Sequence, residues 1–337
     1  MRALWFFLLG VSTFAQGATN AVPARPPPRV HFSLVRPALY FRMCDASGAV
    51  AVSSNLFLVA SDEDNILRLY RTDQPGKPVK EFDFNGFLEL HGKSLEADLE
   101  GAALIGNRAY WIGSHGRNQE GKEALNRHRL FATDIRVNPG DVTLTPVGRP
   151  CKRLVEDLLA DSRFAQFHLA RASRYAPNEP GALNIEGLSA TAEGHLLIGF
   201  RNPIPAGKAL LIPLLNPDDV IQGRPARFDS AIQLDLGGLG IRDIAFHEGT
   251  YVIIAGPFHG GRRFRLYRWA GPGAQPELLR VNHLNNYHPE ALIIYPGLGL
   301  KEIQVLSDDG TLLIDGCPCK ALKDINQRTF RSFWVVQ

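Results

Sequence analysis

The stretch Asp98–Gly101, with the sequence DLEG, opens a short apolar strand, and the chain repeats this arrangement. Five segments open alike: Asp45–Gly48 (DASG), Asp98–Gly101 (DLEG), Asn184–Gly187 (NIEG), Ile241–Ile244 (IRDI) and His288–Ala291 (HPEA). Each leads into an apolar strand, a turn rich in Gly, Asn, Ser or Pro, and a second, more hydrophobic strand. Because short β-branched and aromatic runs divided by turn residues are typical of antiparallel meanders, the sequence predicts an all-β repeat fold.

Third and fourth strands follow in each repeat, and most repeats start about 47–57 residues apart. Four strands per unit at this spacing are typical of a propeller blade. We therefore predict a β-propeller of five four-stranded blades. Residues 30–43 (VHFSLVRPALYFRM) add either an edge strand that closes the ring or the remnant of a sixth blade. A β-sandwich is the main rival fold, but it does not explain the repeated acidic openings.

The longest interval between openings, from Asp98 to Asn184, contains an insertion at about residues 151–176. Its apolar residues recur at helical spacing, which predicts one or two short helices across a face of the disc. No other segment predicts a helix.

The N-terminus is typical of an exported protein. Residues 1–21 combine Arg2, an apolar run and small residues, as in a secretory signal peptide, with an uncleaved anchor as the alternative. A Pro-rich linker (22–29) follows, and the propeller domain is predicted over residues 30–337. No other segment approaches the roughly 20 apolar residues that a membrane span needs.

The charge balance argues against nucleic acid as a partner. There are 37 Lys and Arg residues against 34 Asp and Glu residues, and no basic run with interleaved aromatics occurs. Four cysteines in an oxidising compartment suggest two disulfides, with free thiols as the alternative. Because bridging within C-x-C is strained, Cys317 and Cys319 are expected to pair with Cys44 and Cys151.

In a propeller the first strand of each blade lines the central channel, so the openings predict a ring of polar residues at the channel mouth. The equivalent position holds Ser47, Glu100, Glu186, Asp243 and Glu290. Converging carboxylates need protonation, Arg partners or a hard cation. Glu100, Glu186, Asp243 and Glu290 are therefore candidate ligands for Ca²⁺. The alternative is structural: each acid accepts backbone N–H bonds from a neighbouring blade.

A second polar set recurs about fourteen residues later, near the end of the second strand. Simple hairpins would return it to the same mouth, where it comprises Asp62, Asp64, His115, Arg117, Asn118, Arg201, Asn202, His259, Asp308 and Asp309. The candidate ligand-binding residues are His115, Arg117, Asn118, Arg201, Asn202 and Arg242. Arg and His can hold an anion such as phosphate or carboxylate. The alternative is a set of polar turns whose arginines pair with the acidic ring.

The openings DLEGA, NIEGL and HPEAL, with GSHGRN, GFRNP and LSDDG, resemble the secreted bacterial family named domain of unknown function 3616. The resemblance covers most of residues 40–315. The Glu-Gly openings are similar, more loosely, to phytase-like and esterase-like propellers, in which acidic residues bind calcium. That resemblance implies cation binding at Glu100, Glu186 and Glu290. Asp243 and Ser47 depart from the pattern and weaken a complete phytase-like calcium site.

The sequence is compatible with two functions. The first is an exported binding propeller that holds a small polar or anionic ligand at its acidic mouth, with Ca²⁺ as the candidate cofactor. The alternative is a metal-assisted phosphoester or ester hydrolase. No HExxH, GxxxxGK[ST], GxSxG or EF-hand motif is present, which argues against ordinary proteases, nucleotide enzymes and esterases. The sequence does not indicate an oligomeric state.

Overall fold

The computed structural model describes Met1 and residues 31–337. The predicted signal peptide (1–21, Met1 apart) and Pro-rich linker (22–29) lie outside the described residues. The strands of the described chain pair almost entirely antiparallel and are numbered here from β1 (His31–Phe41).

Three four-stranded sheets follow β1, each with its strands in chain order. Sheet 1 contains β2 (Ala46–Ala51), β3 (Leu56–Ser61), β4 (Ile66–Arg71) and β5 (Lys80–Asp83). Sheet 2 contains β6 (Leu99–Ile105), β7 (Arg108–Gly113), β8 (Leu130–Asn138) and β9 (Asp141–Cys151). Sheet 3 contains β10 (Asn184–Ala190), β11 (Leu196–Asn202), β12 (Ala209–Leu214) and β13 (Ile232–Leu234).

The remaining strands form an eight-stranded sheet and a short hairpin. One half of the large sheet contains β14 (Gly240–His247), β15 (Thr250–Gly256), β16 (Arg265–Trp269) and β17 (Glu277–Val281). The hairpin contains β20 (Leu313–Ile314) and β21 (Cys317–Pro318). The other half contains β18 (Pro289–Ile294), β19 (Glu302–Ser307), β22 (Thr329–Val336) and β1. A two-residue parallel contact between β1 and β17 joins the halves.

The innermost strands form a closed ring. Strand β2 contacts β6, β6 contacts β10, β10 contacts β14, β14 contacts β18, and β18 contacts β2. Strand β1 pairs antiparallel with β22, so the N-terminal strand completes the sheet that contains the C-terminus. The molecule therefore has a β-propeller-like fold, with the first strands of successive repeats around a common axis.

Glycine follows the polar residue in the first three openings because neighbouring strands approach closely there. A Cβ on Gly101 would lie 2.8 Å from the Glu186 carbonyl oxygen, and one on Gly48 would lie 2.8 Å from the Gly101 carbonyl carbon. These glycines let β2, β6 and β10 pack side by side at the axis.

Within residues 31–337, α-helices occupy the predicted insertion and one further loop, and short 3₁₀ helices occur in several other loops. The α-helices are α1 (Leu154–Ala160), α2 (Leu169–Ala172) and α3 (Pro217–Ile221), with a 3₁₀ turn at Ser162–Phe167. Leu154, Leu158 and Phe164 are buried in the hydrophobic cluster shared by sheets 2 and 3. The insertion thus packs onto the sheets through its apolar residues, as its periodicity predicts, whereas α3 was not predicted.

One of the two predicted disulfides is present. Cys44 and Cys319 are bonded, and Cys151 and Cys317 are free. Cys151 ends β9 in sheet 2, where burial raises the pKa of its thiol. No helix within the described residues is long and apolar enough to cross a membrane.

Candidate functional site

A β-bulge marks the start of every inner strand and decides which side chain faces the axis. The pairing register shifts around Ser47–Gly48 in β2, and at Glu100 in β6, Glu186 in β10 and Glu290 in β18. In β14 the shifted residue is Arg242. Bulges re-aim a side chain and are common beside functional sites.

The predicted equivalence of Asp243 with the three glutamates is therefore wrong by one position. Since strand residues alternate between faces, a one-residue offset turns the side chain away from the mouth. Asp243 instead accepts hydrogen bonds from the backbone N–H groups of Ile244 (2.8 Å) and of Leu292 (2.6 Å) in the neighbouring β18. Asp243 therefore fills the structural role that was the alternative to metal binding.

The other inner-strand side chains surround a cavity of about 650 Å³ at one end of the ring. Acidic side chains outnumber basic ones in its lining, with ten carboxyl groups against four Arg or Lys side chains. The carboxylates belong to Asp45, Asp62, Glu63, Glu96, Asp98, Glu100, Glu120, Glu186, Glu290 and Asp308. The cations are Arg127, Arg201, Arg242 and Lys320.

One half of the cavity, the arginine-paired half, consists of Glu186, Glu290, Arg201 and Arg242. Arg201 Nη1 lies 2.7 Å from Glu186 Oε1, and Arg242 Nε lies 2.9 Å from Glu186 Oε2. Arg242 Nε also donates to Glu290 Oε2 at 2.6 Å. Burial, and then the nearby Arg201 charge, lower the pKa of Arg242 to about 10. The carboxylates here are balanced by the chain itself.

The other half carries carboxylates in two groups. The outer carboxylate group is Asp45, Asp62 and Glu63, and the inner carboxylate group is Asp62, Asp98 and Glu100. Within each group one ligand atom per residue lies within 4.8 Å of the others. Arg127 pairs with Asp98 at 2.9 Å, and Lys320 with Glu63 at 3.0 Å.

Three members of these groups, Asp45, Asp62 and Glu100, form no ion pair with an Arg or Lys side chain within residues 31–337. Asp62 Oδ1 is fully buried without a hydrogen-bond partner, and the side-chain hydrogen-bond partner of Asp45 is another acid, Asp308. Ionising these acids is costly because burial removes much of their hydration and no basic side chain pairs with them.

The pKa values of these acids reflect that cost. Burial, then the Asp308 charge, raise the pKa of Asp45 to about 9. Burial raises the pKa of Asp98 to about 7 despite the lowering effect of Arg127. Burial and neighbouring carboxylates raise the pKa values of Asp62 and Glu100 well above the usual range.

The structure brings three of the six predicted ligand-binding residues to the cavity: Asn118, Arg201 and Arg242. Arg117 instead donates to the carbonyl oxygens of Ser173 and Gly121, so it anchors the end of the helical insertion. The other two are buried outside the cavity lining.

His115 is 2% exposed and lies beside His128, with ring centroids 5.4 Å apart. The amide of Asn202 donates to the carbonyl oxygens of Pro177 and Glu179. These two side chains and Arg117 therefore act as packing and anchoring groups. The alternative of polar turns whose arginines pair with the acidic ring describes Arg201, which pairs with Glu186, but not Arg117.

Only some members of the second polar set line the cavity. Asp62, Asn118, Arg201, His259 and Asp308 line the cavity. Asp64 instead binds Arg68 at 2.7 Å. The carboxylate of Asp309 accepts bonds from Ser307 and Arg331, so Asp309 holds the start of β22.

Sequence reasoning did not assign Asp45 and Asp98 to the site, although both lie in the quoted openings. Each precedes the bulged position by two residues, and strand residues two apart share a face. That spacing was a usable signal. No such spacing pointed to Glu63, Arg127 or Lys320, because loops distant in sequence bring them to the mouth.

The fold and site together define an all-β, propeller-like protein with a deep acidic cavity at one end of its inner ring. The chain belongs to the family described as "Protein of unknown function (DUF3616)", which matches residues 45–136 and 147–288. This confirms the resemblance to this family of the openings DLEGA, NIEGL and HPEAL.

Comparison with other proteins adds similarity of structure. The chain is similar to the glutaminyl cyclase of Myxococcus xanthus at 15% identity, with a TM-score of 0.47 over 92% of this chain and 100% of that one. It is also similar to the PQQ-bound aldose sugar dehydrogenase of Streptomyces coelicolor at 11% identity, with a TM-score of 0.39 over 89% and 99%. The chain has no match among curated proteins.

Proposed function

We propose that this protein is an exported, five-bladed propeller that binds a divalent cation, Ca²⁺ by its ligand chemistry, at the acidic mouth. Through that cation it holds a small polar ligand. The observation that carries the proposal is the set of clustered carboxylates without an Arg or Lys partner, Asp45, Asp62 and Glu100, in which the buried Asp62 Oδ1 has no hydrogen-bond partner. Ca²⁺ takes six to eight oxygen ligands, largely from carboxylates, carbonyls and water.

The five-blade count treats each half of the eight-stranded sheet as one blade. The closed contacts among β2, β6, β10, β14 and β18 support this count. In the last blade, β1 supplies the outermost strand beside β22. Pairing the first strand with the last holds the two ends of the described chain in one blade and closes the ring.

Export is supported by the disulfide between Cys44 and Cys319, since disulfides persist mainly in oxidising compartments. The expected signal peptide at residues 1–21 agrees with this location. The periplasm and the extracellular space both offer the oxidising conditions that the bond needs.

The ligand is expected to bind through the cation rather than through free arginines. Arg201 and Arg242 are occupied by Glu186 and Glu290, so they are poor receptors for an anion unless those bonds break. A polar ligand can instead complete the coordination of the ion with its own oxygens. The cavity, about 650 Å³, is within the range of small-molecule sites.

The test is a Ca²⁺ titration of the chelator-treated protein, followed by thermal unfolding. A cation that binds only the folded state raises the free energy of unfolding, by about 2.7 kcal/mol at one hundred times its Kd. Asp62→Asn should remove the response. Asp64→Asn is the matched control, because Asp64 is nearby in sequence but pairs with Arg68 outside the cavity. An unchanged melting temperature with Ca²⁺, Mg²⁺ and Mn²⁺ would reject the proposal.

Metal-assisted hydrolysis of a phosphoester or ester is the second candidate. The cavity beside the carboxylate groups favours it, because a substrate there would contact an ion able to polarise it and activate water. The Ca²⁺-loaded protein should then hydrolyse p-nitrophenyl phosphate, bis(p-nitrophenyl) phosphate or p-nitrophenyl acetate, and Asp62→Asn should not. Calcium binding without turnover supports the binding protein.

A further inference from the structure

We infer that the acidic mouth holds two divalent cations that share Asp62 as a bridging ligand, and that Lys320 weakens binding of the outer one. This inference rests on the proposed cation-binding function and specifies its stoichiometry and regulation. Its basis is the arrangement of the carboxylates into two groups with one common member.

The spacing within each group fits one ion per group. Ca²⁺–oxygen distances of about 2.3–2.6 Å place opposite ligands about 4.6–5.2 Å apart across the ion. Ligand atoms in each group lie within 4.8 Å of one another, so three carboxylates can share one ion. Asp62 is the only residue common to the two groups. The five carboxylates therefore do not form a single group with this spacing.

Asp62 is positioned to join the two ions. A carboxylate has two oxygens and can give one to each of two neighbouring metals, which in two-metal sites lie about 3.5–4 Å apart. Asp62 follows the end of β3 and lies between Asp45, at the start of sheet 1, and Glu100, at the start of sheet 2. Both sheets therefore contribute ligands, and Asp62 links their contributions.

A second observation independent of the clustering points to a positive ligand. The atom Asp62 Oδ1 is fully buried and has no hydrogen-bond partner within residues 31–337. Asp45 is 4% exposed and lines the cavity, and its side-chain hydrogen-bond partner, Asp308, is another acid that lines the cavity. Buried charges are normally paired or bound to metals, so the Asp62 oxygen and the Asp45–Asp308 pair call for a cation that the protein does not supply.

Lys320 distinguishes the outer group from the inner one. Its ammonium binds Glu63 at 3.0 Å and lines the same cavity. The preceding residue, Cys319, is bonded to Cys44, which precedes Asp45. The disulfide thus holds the ammonium beside the outer carboxylate group, where it repels an incoming divalent ion. The inner group keeps Arg127 on one side of Asp98, through a single Asp98 oxygen at 2.9 Å.

The experiment counts bound Ca²⁺ by equilibrium dialysis and isothermal titration of the full folded chain with its disulfide intact. Wild type should bind two ions per chain. Glu63→Gln and Glu100→Gln should each bind one, and Asp62→Asn should bind neither tightly. Lys320→Met keeps every carboxylate and should strengthen the outer site about tenfold, while the inner affinity changes less than twofold. Circular dichroism and thiol counts confirm that each variant is folded and oxidised.

The possible failures are distinguishable. No Ca²⁺ bound by folded wild type overturns both the proposed function and this inference. One ion in wild type, lost in Asp62→Asn but retained with equal affinity in Glu63→Gln and Lys320→Met, leaves the proposed function standing and refutes the two-ion centre. Two ions whose affinities are both unchanged in Lys320→Met overturn the role given to Lys320.

Discussion

The two halves of the cavity take carboxylates from the same repeat position but balance them differently. In the arginine-paired half, the bulged residue of β14 is Arg242, which lies between Glu186 and Glu290 of the two neighbouring inner strands. In the other half, Glu100 faces Asp62 and Asp98 and has no ion pair among the described residues. One arginine in the fourth repeat therefore pairs with the acids on both sides of it, and Arg201 supplies the second positive charge of this half.

This difference teaches that a repeated acid need not have a repeated role. Internal arginines make one half a structural network, because a buried pair is stable only while both partners remain. In our proposal the other half, where Asp45, Asp62 and Glu100 have no Arg or Lys partner among the described residues, receives the external cation.

Arg242→Met should be the most damaging single change at the mouth. It leaves the buried carboxylates of Glu186 and Glu290 without their shared counter-ion, and breaking such a network costs about 3–5 kcal/mol of unfolding free energy. Urea unfolding followed by tryptophan fluorescence measures the loss. Arg71→Met is the control, since the Arg71–Asp73 pair is solvent-exposed and its loss should leave the urea midpoint nearly unchanged. Equal costs for the two variants would contradict the structural role of this half.

Removing the disulfide should have the next largest effect. The double variant Cys44→Ala/Cys319→Ala should lose about 2–4 kcal/mol, because the bond links residues 275 apart and restricts the unfolded chain. The affinity of the same variant for the proposed outer cation should also change, since Lys320 and Asp45 both adjoin the bonded cysteines. Cys317→Ala leaves the bond intact and is the control. If both proteins unfold at the same urea concentration, the bond does not stabilise this region.

Asp62→Asn should stabilise the cation-free protein by about 1–2 kcal/mol, the reverse of the usual effect of losing a buried acid. The reason is that burial and neighbouring carboxylates oppose its ionisation, while no protein donor favours it. Asp309→Asn is the comparison: it removes bonds from Ser307 and Arg331 and should destabilise. Urea unfolding in the presence of EDTA measures both. A destabilised Asp62→Asn protein would mean that this half also has an internal partner.

Much of the fold could be predicted from the openings themselves. The residues Glu100–Gly101 and Glu186–Gly187 combine a channel-facing acid with a glycine that permits close strand approach, so their recurrence indicates inner strands around one axis. The helical insertion was also readable, because Leu154, Leu158 and Phe164 follow a helical period and are buried.

The side chains that line the site were harder to predict from the sequence. Arg242 and Asp243 are adjacent and both polar, so only the bulge position decides which of them reaches the cavity. Lys320 and Arg127 reach the mouth from loops, and their pairing with Glu63 and Asp98 depends on contacts distant in sequence. His115 lies in the polar stretch SHGRN, yet its side chain points into the protein.

The smallest predicted effect is at His115. This residue lies outside the mouth, so the comparison between the two halves of the cavity does not extend to it. Burial, then the neighbouring charges of His128 and Arg129, hold the pKa of His115 well below its usual value of 6.5. Below about pH 6.5 the unfolded chain therefore binds a proton that the folded chain resists. The free energy of unfolding should fall with decreasing pH, by up to about 1.4 kcal/mol per pH unit from this group.

The test compares wild type with His115→Asn at pH 7.5 and pH 5.5, with EDTA present. Asparagine suits the position because the backbone of His115 has a φ of 53°, in the left-handed region that asparagine tolerates. The variant should lose less stability than wild type on acidification, whereas His91→Asn, at an exposed site, should parallel wild type. Because His115 lies outside the cavity, Ca²⁺ binding at pH 7.5 should be equal in all three proteins. A parallel acid dependence in His115→Asn, or a loss of Ca²⁺ binding, would show that this histidine is charged or belongs to the mouth after all.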